Sequence, residues 1–237
     1  MAFSKILWVV NYNNINDFVK GAVDCGATDV AIRSDNDVET AITEFTKKGI
    51  GVYSWRWPSA NKDPAMKEAK KIVGLFGKGL KGYYVDPEGD HGKPWDWDQT
   101  GLATLAKDFC AAIKSAPGAK LGVTSHYRAD KVFPHLPWEE FFAAADVLLP
   151  QSYWRVTGGV VGHGIPDDNY NQGIAFWKAA GGNVNLIHPM AGEIDKVTAA
   201  EINKYAAAAK SKGIDELHFY AWVPSVKASV MNAIKAL

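Results

Sequence analysis

Short apolar runs alternate with longer amphipathic stretches along the whole chain. The runs fall at residues 6–10, 29–33, 51–55, 82–86, 121–125, 146–151, 184–188 and 216–222. Each is brief and bounded by turn residues, as buried parallel strands are. Between them the apolar spacing becomes helical. Val38, Ala41, Ile42 and Phe45 follow i, i+3, i+4, i+7, and so do Leu102, Leu105, Ala106 and Phe109, continued by Ala112 and Ile113. Asp63-Pro64 reads as an N-cap followed by proline at the first helical position. Thr198-Ala-Ala-Glu201 reads as a capping box. Gly49 and Gly213 stand where helices should stop, and a last helix starts near Ser225. Eight strand–helix units predict one (β/α)8 TIM barrel occupying residues 1–237 as a single domain, close to the usual barrel size of about 250 residues. A doubly wound open sheet normally has fewer strands, and no Gly-x-Gly-x-x-Gly follows the first strand.

Composition narrows the function classes. The 237 residues carry 26 Lys+Arg and 26 Asp+Glu, so the formal net charge is zero and the electrostatic footprint of a nucleic-acid binder is missing. Hydrophobic residues at 47% and charged residues at 22% are globular proportions, not those of a disordered chain. The apolar run at 6–10 is far short of the ~20 residues of a membrane span. It is also short for a signal-peptide core. The expectation is a protein without nucleic-acid or membrane partners, monomeric, and either cytoplasmic or exported by another route. Cys25 and Cys110 both fall in predicted helices and imply no disulfide or zinc framework. Nine tryptophans are more than a core needs, and the surplus suggests a surface for a flat, apolar ligand face.

The predicted strand ends collect polar and aromatic residues. Asn11 and Tyr12 follow the first strand; Arg33 and Asp35 close the second; Trp55, Arg56 and Trp57 close the third. Asp86 and Glu88 end the fourth, His126 the fifth, Gln151 and Tyr153 the sixth, His188 the seventh and Trp222 the eighth. The longest connections, at 89–97, 127–137 and 154–167, follow the fourth, fifth and sixth strands, on the functional face of a barrel. Asp86-Pro87-Glu88 is the sharpest feature. Carboxylates at i, i+2 on a strand point to one face and shift each other's pKa, keeping one protonated near neutrality. That pairing suits glycosidic cleavage, where one group protonates the leaving oxygen and the other stabilises positive charge. Against it stands an ion pair of Glu88 with Arg33 or Arg56. Pro87 removes a ladder donor, so regular pairing should end at Asp86. Gln151 and Tyr153, again at i, i+2, suit an acetamido group or an oxyanion. Trp55, Trp57, Trp95, Trp97, Trp154 and Trp222 offer faces for sugar stacking, with two or three of them lining a cleft. His126, His188 and His218 show no metal-ligand spacing, and no metal or cofactor is expected. Lys5, Lys81 and Lys120 precede strands, at the wrong end for a Schiff base.

The Asp-x-Glu ending the fourth strand, the Gln-x-Tyr ending the sixth and the tryptophan ending the eighth resemble the family-18 chitinases and endo-N-acetylglucosaminidases. The matching positions are Asp86, Glu88, Gln151, Tyr153 and Trp222. The family's fourth-strand motif has further aspartates upstream, where this chain has Lys81 and Tyr84, and Pro87 between the pair is unusual. Family-25 lysozymes are a weaker resemblance, because Asn11 stands where they place an acid. The resemblance implies a retaining, substrate-assisted glycosidase acting on an N-acetylated glycan such as chitin, peptidoglycan or an N-glycan core. Glu88 is then the general acid, Asp86 orients and charge-stabilises the acetamido nucleophile, and Tyr153 and Gln151 hold it. Trp222, Trp55, Trp57, Trp154, Arg56, His126 and His188 complete the expected substrate contacts. Two alternatives stand beside this reading: a non-catalytic carbohydrate-binding barrel, and a barrel enzyme that takes an anionic small molecule through Arg33 and Arg56.

Overall fold

A computed structural model describes residues 3–237; Met1 and Ala2, at the start of the expected domain, lie outside the described residues. Seven parallel strands form the sheet: β1 (Ser4–Val9), β2 (Asp29–Arg33), β3 (Gly51–Arg56), β4 (Gly82–Val85), β5 (Lys120–His126), β6 (Val147–Gln151) and β9 (Glu216–Phe219). Their order is β6-β5-β4-β3-β2-β1-β9. The helices α1 (Ile15–Asp24), α2 (Val38–Thr46), α3 (Lys62–Phe76), α4 (Ala103–Lys114), α5 (Trp138–Ala144), α6 (Pro166–Ala179), α7 (Ala199–Ser211) and α8 (Ala228–Ala236) alternate with them. A small hairpin, β7 (Arg155–Val156) with β8 (Gly159–Val160), lies in the β6–α6 connection. Among the described residues no helix is long and apolar enough to cross a membrane.

The expected strand at 184–188 is a correction. Residues Val184–Leu186 form a 3-10 turn, opened by Asn183, whose side chain accepts from Asn185 N. The extended backbone starts later, at residues 187–191, and fills the gap between β6 and β9 through single bridges, Leu148 to Ile187 and Ala191 to Phe219. His188 N donates to Leu148 O and Met190 N to Pro150 O, each at 2.8 Å. Pro189 interrupts this segment and has no N–H to give, which keeps it from becoming a regular ladder.

Local chemistry accounts for the other elements. Asp37 accepts from Thr40 N at the start of α2, and Thr198 with Glu201 forms the full capping box of α7. Gly49 and Gly213 have φ of 70° and 75°, as expected where a helix turns into a strand. The α3 cap differs from expectation: Asn61 is the N-cap, and Asp63 and Pro64 sit inside the first turn. Cys25 follows α1 as its C-cap and Cys110 lies in α4; both are buried and free.

The core has two layers. Leu7, Val9, Val30, Ile32, Phe18 and Phe45 belong to the layer between strands and helices. Ile6, Trp8, Ala31, Tyr53, Trp55, Tyr84, Leu149 and Met190 fill the barrel itself. Tyr84 stacks between Trp8 (4.9 Å between ring centres) and Tyr53 (5.0 Å). Gly82 and Gly122 make room for these rings: a Cβ on either would come within 2.6 Å of Tyr53 or 2.5 Å of Tyr84. This aromatic plug supports the residues that stand at the C-terminal mouth.

Candidate functional site

Strand β4 ends at Val85, one residue earlier than expected. Asp86 N still donates to Arg56 O (2.9 Å), so the chain keeps its direction through Asp86. Pro87 then turns it, and Ser125 Oγ anchors the turn by donating to Pro87 O (2.7 Å). Beyond it, Trp97 N donates to Glu88 O (2.8 Å), tying Glu88 to the long β4–α4 connection. That connection is organised by the buried Asp96, whose Oδ1 accepts from Asp90 N and Asp98 N. Despite the proline, Asp86 and Glu88 converge. Gln151, from the end of β6, donates Nε2 to Asp86 Oδ1 (2.9 Å) and to Glu88 Oε1 (3.2 Å).

The two carboxyls are also hydrogen-bonded to each other. Burial first, then the charge of Glu88 and its hydrogen bond, push Asp86 well above the ordinary carboxylate range. Glu88 is raised as well, again by burial, while the Gln151 amide, the bond from Asp86 and the Trp57 indole N–H pull it back. Both carboxyls are raised and Asp86 is the more deeply buried member, so the pair as a unit favours keeping a proton. Among the described residues neither group has a cationic partner. Arg33 Nε instead donates to Asp35 Oδ1 (2.7 Å), and Arg56 Nη1 lies 3.2 Å from Asp35 Oδ2. The competing ion pair of Glu88 with Arg33 or Arg56 is therefore not formed.

Aromatic groups surround the pair. Trp57 packs edge-on against Trp55 (5.2 Å) and carries the Arg33 guanidinium 5.8 Å from its ring centre. Tyr153 and Tyr220 stack face to face at 5.2 Å and 11°. Burial first, and then the charge of neighbouring groups that include Asp86 and Glu88, raises the pKa values of both phenols. Tyr220 was not foreseen. Tyr220 follows directly on β9, and the alternation Glu216, His218, Tyr220 carries it to the inner face, against Trp8, Trp55 and Tyr153.

Several expected contacts are corrected. Trp222 is 6% exposed and packs against Phe18 (5.1 Å) and over Gly21 on α1, outside the barrel. Trp154 is fully buried beside Tyr205 (5.8 Å). Trp55 is buried beneath Trp57, its Nε1 donating to Val9 O (3.0 Å), and Trp97 is buried with its Nε1 on Pro58 O (2.9 Å). Of the six candidate tryptophans, Trp57 alone meets the acid pair, and Trp95 is 40% exposed on the loop beyond, bonded to Asp90. His126 stands on the rim, stacked on Tyr127 (5.0 Å); burial lowers its pKa to about 4, with help from Arg128, and keeps it neutral.

His188 is displaced to the opposite end of the barrel, because its strand starts only at Ile187. There it lines a cavity of about 340 Å³ with Tyr53, Tyr84, Lys120 and Glu216. Glu216 Oε1 accepts from His218 Nε2 (3.0 Å) and lies 3.5 Å from His188 Nδ1. Trp8 Nε1 donates to His218 Nδ1 (3.1 Å), which leaves Nε2 as the protonated nitrogen that faces Glu216. The strand lysines also belong to that end: Lys5 Nζ donates to Ile234 O and Lys235 O, and Lys81 pairs with Asp29. Among the described residues no three His, Cys, Asp or Glu side chains are grouped as a metal site would need.

No family model and no curated protein sequence matches this chain. Solved structures do share its fold. A class V chitinase from Pseudomonas fluorescens Pf-5 is similar over 99% of both chains, with a TM-score of 0.66 and 11% identity. YKL-39, solved in the presence of chitooligosaccharides, is similar over 99% of both chains at TM-score 0.68 and 8% identity. A deoxyribose phosphate aldolase from Aeropyrum pernix is similar over 98% of this chain and 90% of its own, at TM-score 0.60 and 16% identity. The chain is a TIM-barrel protein of a kind used by enzymes and binding proteins of different chemistry. Its candidate site is the Gln151-bridged acid pair at the C-terminal mouth.

Proposed function

We propose that the protein is a retaining glycosidase that acts on an N-acetylated glycan with help from the substrate's own acetamido group. The observation that carries this is the Asp86–Glu88 pair, bridged by the Gln151 amide, with Asp86 buried, Glu88 half-buried and both raised by burial. As the glycan enters, the proton passes from Asp86 to Glu88, and Glu88 delivers it to the glycosidic oxygen. The bond from that oxygen to the anomeric carbon breaks, and its electron pair stays on the leaving oxygen. The acetamido carbonyl oxygen attacks the anomeric carbon, and the positive charge that forms on the acetamido group faces the now ionised Asp86. Water then attacks the anomeric carbon as Glu88 takes its proton; the bond from that carbon to the acetamido oxygen breaks, and its electron pair returns to the acetamido group and restores the neutral amide. Tyr153, Tyr220 and Trp57 wall the acetamido group, and Gln151 orients both acids. Among the structural neighbours, the chitinase fits this chemistry, and YKL-39, solved in the presence of chitooligosaccharides, fits the ligand class. An aldolase reading is disfavoured, because the strand lysines bond at the far end of the barrel.

One observation favours binding without catalysis. Where the resembling family has an upstream acid, Tyr84 is sealed into an aromatic stack with Trp8 and Tyr53, so no further carboxylate relays charge beneath the pair. Turnover decides between the two. On chito-oligosaccharides the wild type should release reducing ends, and Glu88→Gln should lower that rate by about 10²–10⁴-fold, the usual worth of a general acid, with binding retained. Binding without turnover by the wild type selects the second reading.

A further inference from the structure

Resting on the glycan reading above, we infer that the sugar bound at the mouth carries a carboxylate, held by Arg33 and Arg56. These two side chains make an ion cluster with a cation too many. A single carboxylate, Asp35, serves both: Arg33 Nε donates to its Oδ1 at 2.7 Å and Arg56 Nη1 lies 3.2 Å from its Oδ2. Among the described residues, the only other side-chain acceptor for either guanidinium is Asn11 Oδ1, which takes Arg33 Nη2 at 2.9 Å and is neutral. Two positive charges against one negative leave a net +1. Each guanidinium has five N–H donors, so most of the ten remain without a protein acceptor.

The Arg33 side chain is only 19% exposed and the Arg56 side chain 36%. A partly desolvated cation without a full counter-charge is costly, which is the condition that an anionic ligand relieves. The position is specific as well. The Arg33 guanidinium lies over Trp57, 5.8 Å from its ring centre, and the N–H of that same ring faces Asp86 and Glu88. The surplus charge therefore stands one indole away from the acid pair, on the β2–β3 side. A sugar whose acetamido group meets Gln151 and Tyr153 presents its opposite edge to this corner. The planar fork of arginine suits a carboxylate in two-point contact. Two kinds of acidic N-acetylated glycan carry that group, one as an O-lactyl ether and one as a hexuronate alternating with the amino sugar.

The test compares three probes on one protein by calorimetry: chitotetraose, a peptidoglycan tetrasaccharide with O-lactyl carboxylates, and a hyaluronan tetrasaccharide with hexuronates. An acidic probe should bind at least about tenfold tighter than chitotetraose at low salt, the worth of one charge-assisted hydrogen-bond pair, and the ratio should shrink as salt rises. Which acidic probe shows the gain identifies the source of the carboxylate. Arg56→Gln and Arg33→Gln, each measured with both kinds of probe, should bring the ratio toward one; because the ratio is taken within one protein, partial misfolding does not imitate the effect. Chitotetraose bound as tightly as both acidic probes overturns this inference and leaves the glycosidase reading standing. So does a ratio that survives both substitutions. If none of the three binds, the glycan reading fails and this inference falls with it.

Discussion

The barrel holds a carboxylate cluster at each end, and the two differ in charge state. At the C-terminal mouth, Asp86 and Glu88 face each other with an amide and an indole N–H as their donors, and burial drives both toward the protonated form. At the N-terminal end, Glu216 is half-buried, which would raise it. Hydrogen bonding and charge from His188 and His218 outweigh that and hold it well below the ordinary carboxylate range. Burial is common to both ends. The neighbour decides: a second carboxyl makes a proton reservoir, and two imidazoles make a fixed anion. The mouth is thereby suited to acid–base work and the far end to holding strands together, which is the usual division in this fold.

The largest effect expected outside either cluster is that of Trp222→Ala. If this ring is core, as its packing on Phe18 and Gly21 indicates, the variant loses about 3–5 kcal/mol of stability and keeps its affinity for glycan. A variant that melts like the wild type but no longer binds would return Trp222 to the ligand and undo the assignment of the mouth to Trp57, Tyr153 and Tyr220.

The contrast between the ends itself predicts opposite pH dependence. Asp86 binds its proton more readily in the folded protein, so its contribution is complete below the ordinary carboxylate pKa of about 4 and is lost as pH rises through the raised value. Glu216 releases its proton more readily when folded. Its contribution is complete above that ordinary value and is lost as pH falls through the lowered one. Glu216→Gln should cost about 1.5–3 kcal/mol near neutrality, the worth of hydrogen bonds to a charged group, and should flatten the loss of stability in acid. Asp86→Asn should do the reverse, gaining on the wild type as pH rises. Thermal melts of the three proteins across the acid-to-alkaline range give the slopes. Parallel curves would mean that the two ends do not differ as described.

The smallest change sharpens the mouth alone. The Trp57 N–H favours the ionised acids, so Trp57→Phe, which keeps a ring, should raise both carboxyls further. The alkaline limb of the kcat/KM profile should then move upward by less than about one pH unit, because one neutral donor is worth roughly 1 kcal/mol. A downward shift would show that the indole does not touch the pair.

Much of this architecture was legible in the chain itself. The period-two and 3.6-residue patterns, the Thr198–Glu201 box and Gly49 and Gly213 are local signals, and local signals survive without tertiary context. They located seven strands, the helices and the barrel, and the i, i+2 spacings of Asp86 with Glu88 and Gln151 with Tyr153 marked the acid pair and its amide. The seventh position in the barrel was misread because the apolar content of 184–188 does not reveal where Pro189 lets the extended backbone begin; a shift of three residues carried His188 from the mouth to the far end. Only the folded molecule decided which tryptophans are ligand faces. Trp55, Trp57, Trp154 and Trp222 are equivalent as residue types at strand ends, and what separates them is whether a helix, a barrel wall or open space lies on the other side. The same holds for charge. That Arg33 and Arg56 choose Asp35, leaving Glu88 to share a proton with Asp86, depends on distances across three strands that no spacing along one strand encodes.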